Sequence, residues 1–182
     1  MKLRIEVGEL SLPSLDGLEV DSVAALVGAE RPIVGLAALL DWRMAGAVSR
    51  AIRAGTVTPE HGEALLLPTQ GRLRAPRLFL FGVDDPSPRS VTLAVRHACE
   101  ALRRAGAREV AVGFPHGAPL AASARAWVEA SGPAGFARQV VLGDPRALLA
   151  ALEGAARDLG VEVEAVRVAA RVEPPAAPPA TA

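Results

Sequence analysis

From residue 77 onward the sequence repeats one pattern: a short apolar run, a glycine, a helix-starting residue, then apolar groups at helical spacing. Arg77 to Phe81 is such a run, stopped by Gly82. Ser87 then supplies an N-cap and Pro88 the first helical position. Val91, Ala94, Val95, Ala98, Cys99, Leu102 and Ala105 form the stripe of that helix, and Gly106 closes it. Glu109 to Val112 is the next strand, stopped by Gly113. Pro119 opens a helix with Leu120, Ala124, Trp127 and Val128 on one face, ending near Gly132-Pro133. Gln139 to Leu142 ends at Gly143, Asp144 caps and Pro145 starts a third helix, and Gly160 ends it before a final strand over Val161 to Val168. Strands alternating with helices predict right-handed crossovers and an α/β fold with a mixed, mainly parallel sheet.

The amino-terminal half is less regular. Lys2 to Val7 alternates charged and apolar residues, as a strand with one buried face does. Ser11 to Gly17 reads as a turn, and Leu18 to Leu26 as a second strand. These amino-terminal strands are expected to make the sheet mixed. Gly35 to Arg53 reads as one helix with Leu36, Leu40, Met44, Val48 and Ile52 inward and Gly55 as its stop. Gly46 would then sit mid-helix at a cost of about 1 kcal/mol relative to alanine, a sign of close packing against another backbone. Trp42 would flank the core stripe, and Asp41 and Arg43 would face outward, placed to hold a loop or a partner. Glu63 to Leu67 is a short strand ended by Pro68. The whole reads as one domain over residues 1–170 and a Pro/Ala-rich tail over 171–182, expected to be disordered or extended as polyproline II.

With 182 residues, 51% of them hydrophobic and 22% charged, the chain has enough core to fold without disulfides or metal. Its formal net charge of +0 gives no long-range field to attract nucleic acid. Cys99 is the only cysteine, so no internal disulfide forms and a reducing compartment is expected. The amino terminus lacks the apolar core of a signal peptide, and no stretch approaches the ~18 apolar residues of a membrane span. The expectation is a soluble, cytoplasmic protein.

In open α/β sheets, ligands bind beyond the carboxyl ends of the strands. Candidate ligand-binding residues there are Gly82, Asp84, Gly113, His116 and Gly143. Glycine lets a backbone approach a ligand, and the following helix N-termini favour anions. The commoner reason for glycine at these positions is a tight strand-to-helix turn. Asp84, Asp85 and Asp144 also repel phosphate, and neither a P-loop nor a G-x-G-x-x-G motif occurs. His61 and His116 fall in loops and His97 on the polar side of its helix, so no metal site is expected. Cys99 lies within an apolar stripe, where a thiol acts as a small hydrophobe. Neither Ser49 nor Ser123 sits in a nucleophile elbow. The residues assemble no catalytic set and imply no cofactor.

Asp41-Trp42-Arg43, Gly46-Ala47-Val48-Ser49-Arg50, Gly55, Gly62 to Pro68, Arg77 to Gly82 and Glu109 to Pro115 come one after another in an order that resembles the N-terminal domain of the M17 leucyl aminopeptidase family. The resemblance covers most of residues 2–168 and implies a macro-domain-like, three-layer α/β/α sandwich. It also implies that the paired metals and peptidase residues belong to a separate carboxyl-terminal domain, larger than the stretch of chain beyond residue 168. That site uses lysines, and Lys2 is the only lysine here. The expected role is therefore that of a stand-alone, non-catalytic module acting by protein binding, regulatory or scaffolding, with another protein or a second copy as partner. One alternative is a macro-type binder of a nucleotide or an ADP-ribose-like ligand at the loops after the parallel strands. A further alternative is DNA binding, since some enzymes of this family bind DNA through contacts that include this domain. Arg72, Arg74 and Arg77, or Arg103, Arg104 and Arg108, would carry it, against the neutral net charge.

Overall fold

The computed structural model describes residues 2–168, so the Pro/Ala-rich segment 171–182 lies outside the described residues. Seven strands form one sheet: β1 (Lys2–Glu9), β2 (Ser22–Val27), β3 (Ala64–Pro68), β4 (Arg77–Gly82), β5 (Glu109–Gly113), β6 (Arg138–Gly143) and β7 (Glu162–Arg167). Among the described residues, six helices accompany them: α1 (Leu12–Asp16), α2 (Gly35–Arg43), α3 (Ala47–Arg53), α4 (Pro88–Arg104), α5 (Leu120–Ala134) and α6 (Pro145–Leu159). The strand order is β3-β4-β2-β5-β6-β1-β7. Every neighbouring pair is parallel except β3 with β4.

Two cores flank the sheet and make it the middle of three layers. On one face, Leu3, Ile5, Val7, Phe79, Phe81, Val110 and Val112 pack under α4, α5 and α6. On the other, Val23, Ala25, Leu78, Leu80 and Leu142 pack under α1, α2 and α3. Strands buried on both faces read as continuous apolar runs, which is why Ser22–Val27 is buried at every position.

Several boundaries differ from the sequence reading. The sheet is mixed because of β3; the amino-terminal strands β1 and β2 are both parallel to their neighbours. Leu18 and Val20 are buried, yet β2 begins only at Ser22. The turn at Ser11 is a short helix, capped by the Ser11 side chain. Gly35 to Arg53 is two helices, not one: Ala45 and Gly46 adopt left-handed φ values of 51° and 79° and break the run. Gly46 is thus required by the turn and not by packing against another backbone. Asp41 reaches across the break to Ser49, eight residues on, its carboxylate accepting from the Ser49 amide at 2.8 Å and the Ser49 hydroxyl at 2.6 Å. That carboxylate serves α3 in place of an N-cap side chain, which Gly46 cannot supply. Arg43 does hold another segment, pairing with Asp16 at the end of α1.

Candidate functional site

The carboxyl ends of the parallel strands share one rim of the sheet. Because β2 lies between β4 and β5, the loops after these three strands are neighbours. They enclose a cleft of about 330 Å³ lined by Gly28, Glu30, Asp84, Asp85, Pro115 and His116, among others. Asp84 and His116 are therefore brought together. Gly143 ends β6, on the far side of β5, and does not line the cleft.

The three strand-end glycines answer to packing. A Cβ on Gly82 would collide with the carbonyl oxygens of Glu60 and Thr58, in the loop that crosses the end of β4. One on Gly113 would lie 2.6 Å from the Leu36 Cβ of α2, and one on Gly143 would lie 2.8 Å from the Leu148 side chain of α6. In each case the chain itself fills the space that a side chain at the glycine would need.

The cleft is acidic. The Glu30 carboxylate folds back over Gly28, where an added Cβ would meet it. Asp84 accepts a hydrogen bond from the His61 amide at 2.7 Å and so ties the loop before β3 to the end of β4. Hydrogen bonds from Ser87 and then Ser90 hold the Asp85 carboxyl below the usual carboxylate range, and both residues begin α4. Gly28 and Glu30 are not among the candidates read from the sequence, which ends the second strand at Leu26 and assigns no role to the loop after it.

His97 is not on a solvated face. Its ring meets Phe81 edge-on at 5.8 Å and His61 at 6.0 Å, and its Nε2 is buried without a hydrogen-bond partner among the described residues. Cys99 is buried, and burial pushes its thiol up to about 12. Among the described residues, no group of three or more His, Cys, Asp or Glu is arranged to hold a metal ion. No described helix is long and apolar enough to cross a membrane.

A second, larger concavity lies outside the rim. Trp42 does not flank the core: it is 74% exposed, at the end of α2. It lines a groove of about 770 Å³ with Arg31, Ile33, Asp41, Ile52 and Arg53. Asp41 is engaged there by its bonds to Ser49, and the two arginines give the groove its positive charge.

The model of the cytosol aminopeptidase family's N-terminal domain matches residues 12–137, which span α1 to the turn after α5. The chain belongs to this family. As a cytosol aminopeptidase N-terminal domain, it has the fold expected of it among solved structures. The tomato leucine aminopeptidase, as a mutant, is matched at a TM-score of 0.56 and 17% identity, over 85% of this chain and 36% of that one. A Trypanosoma brucei macrodomain in complex with ADP-ribose is matched at a TM-score of 0.63 and 12% identity, over 82% of this chain and 68% of that one. An Oceanobacillus iheyensis macrodomain with MES bound gives a TM-score of 0.59 at 12% identity, over 80% of this chain and 88% of that one. At these identities the likeness is one of fold, and the macro-domain-like sandwich is that fold. No curated protein sequence matches the chain.

Proposed function

We propose that this cytosol aminopeptidase N-terminal domain is a non-catalytic binding module in the cytoplasm that engages another protein through the groove beside Trp42, in a regulatory or scaffolding role. The observation that carries this reading is a tryptophan 74% exposed over a groove of about 770 Å³. Tryptophan and arginine dominate the energetics of protein interfaces because each covers a large area and has a polar handle. Ile33 and Ile52 give the groove an apolar floor, and Arg31 and Arg53 give it positive charge. The chemistry that fits is a peptide segment with one apolar anchor beside a carboxylate.

A second reading has one observation in its favour: the fold is shared with a macrodomain complexed with ADP-ribose, and this chain has a cleft at its strand ends. Glu30, Asp84 and Asp85 oppose a diphosphate in that cleft. DNA binding is weaker still, because Arg77 and Arg104 are paired with Asp21 and Glu100.

The test is to measure the affinity of each purified partner candidate for wild-type, Trp42→Ala, Arg53→Glu and His116→Ala chains. Trp42→Ala and Arg53→Glu should each weaken binding by about tenfold or more, and His116→Ala should leave it unchanged. A partner indifferent to both groove substitutions overturns the reading. So does a rise in unfolding midpoint of roughly 5–10 °C with ADP-ribose at about a hundredfold over its Kd.

A further inference from the structure

The groove beside Trp42 reaches the same rim at which β7 ends. Ala38, Asp41 and Trp42 line it at helical spacing, so one face of α2 forms a wall. Arg31, Pro32 and Ile33, which follow the carboxyl end of β2, line its rim end. Leu36 lies against Gly113 at the carboxyl end of β5, which sets the start of α2 at the rim. From Gly35 to Trp42 the helix then extends about 10 Å.

Three groups in the groove await partners. The Trp42 indole N–H donates to nothing among the described residues, whereas that of Trp127 donates to Gln139 at 2.9 Å. Arg53 is exposed and pairs with no carboxylate among the described residues. Arg31 is also exposed and donates only to the carbonyls of Gly28 and Glu30, at 3.2 and 2.7 Å. A donor, two cations and an apolar floor call for free carbonyls, a carboxylate and compact apolar groups.

The sequence after Val168 supplies all three. It contains Val172-Glu173-Pro174-Pro175-Ala176-Ala177-Pro178-Pro179, and Glu173 is the only acidic residue between 169 and 182. Proline has no N–H, so a Pro-Pro pair carries carbonyls free to accept beside compact apolar rings. A residue before proline is confined to extended conformations, so such a segment loses little freedom on docking. Aromatic-lined grooves take proline-rich segments for this reason. The span also fits. Val168 leaves β7 at the rim, its amide donating to the Val7 carbonyl at 2.9 Å. β7 stands four places from β2 in the sheet, which is about 19 Å. Pro174 and Pro179 lie six and eleven residues beyond Val168, or about 19 and 34 Å of extended chain. The proline run therefore begins at the rim end of the groove and is long enough to pass Trp42.

We infer that residues 173–179 are the groove's internal ligand, with Glu173 toward Arg31 and Pro178-Pro179 on the Trp42 ring, so that a protein partner must displace them. This rests on the groove being a peptide-binding surface, as proposed above. Tethering supplies a millimolar effective concentration, so a weak intrinsic affinity is enough to keep the groove filled.

The test uses the full chain and its two tryptophans. Trp127 is buried, so acrylamide quenching reads Trp42. Combining Pro174→Gly, Pro175→Gly, Pro178→Gly and Pro179→Gly should raise the quenching and move the Trp42 indole resonance, and Glu173→Arg alone should do so in part. A synthetic peptide of residues 169–182 should then bind this variant about tenfold or more tighter than the wild type, where the tethered segment competes. The Trp42 resonance of the wild type should not change on dilution. Identical quenching in wild type and variant overturns the inference. So does equal peptide affinity for both, or protection of Trp42 that fades on dilution, which would mean exchange of segments between copies. These readouts need no partner protein. They can fail while a partner stays sensitive to Trp42→Ala, so failure here is distinguishable from failure of the groove reading.

Discussion

Asp21 is the side chain whose loss the sheet should feel most at its amino end. It immediately precedes β2, and its Oδ2 accepts from the Arg108 amide at 2.7 Å and the Glu109 amide at 2.9 Å, at the start of β5. Its Oδ1 accepts from Ser22 at 2.6 Å and from the Arg77 guanidinium of β4 at 2.9 Å. One carboxylate thus ties the first residues of three adjacent strands. Partial burial pushes its pKa up, but the bonds from Ser22, Glu109, Arg108 and Arg77 together outweigh that, and the net direction is down. A hydrogen bond to a charged group contributes roughly 1.5–3 kcal/mol when well buried. The Asp21 side chain is 32% exposed, so solvent screens each bond and water replaces part of what is lost. Asp21→Ala should therefore cost about 2–3 kcal/mol in total, not the sum of its bonds. For a chain of this length that is a fall of roughly 5–10 °C in unfolding midpoint. Since the folded-state pKa lies below the unfolded one, the stabilisation is complete above the unfolded value of about 3.9 and is lost as pH falls through the folded value. Urea unfolding of both chains at pH 7 and again between about pH 4 and pH 2 measures it. The gap should be full at pH 7 and narrow on acidification. A gap below about 0.5 kcal/mol at pH 7, or one that does not change with pH, refutes the argument.

Gly113→Ala should destabilise by about 1–3 kcal/mol, because its methyl group would be driven into the Leu36 Cβ of α2; an unchanged midpoint would mean that α2 yields and that Gly113 is not held by packing. Cys99, with its thiol pushed up to about 12 by burial, should resist iodoacetamide at pH 8 in the folded chain and react promptly in urea; labelling of the native chain at the rate of a free thiol would place Cys99 at the surface.

What the sequence reveals here is what neighbouring residues decide between themselves. Ser87 before Pro88, Asp144 before Pro145, and Gly160 at a φ of 62° all lie where the sequence puts them, because a cap or a left-handed stop is satisfied within one turn of chain. The break at Gly46 is different. Met44 and Val48 are both buried, so the apolar stripe runs straight through it and periodicity shows nothing. Its cause is the Asp41–Ser49 contact, which no local rule predicts. The direction of β3 is likewise hidden, since an antiparallel hairpin partner and a parallel neighbour have the same composition. The cleft obeys the same division. Asp84 and His116 are legible because every strand end is a candidate, but the partners that fill the space around Gly82, Gly113 and Gly143 come from distant segments: Thr58 and Glu60, Leu36, and Leu148.

The two concavities differ in what surrounds them. At the rim, the chain's own carbonyls and side chains occupy the space beside the glycines, and the remaining cleft faces carboxylates. At the groove, the second core is complete without its tryptophan: Leu36, Leu40, Met44 and Val48 are all buried beneath α2 and α3 while Trp42 stays outside. A residue that contributes little to the core can be removed with little effect on folding. Trp42→Ala should therefore shift stability by no more than about 0.5 kcal/mol, as for a surface position. Loss of binding in that variant would then report on the interface alone, which is what separates a docking residue from a structural one.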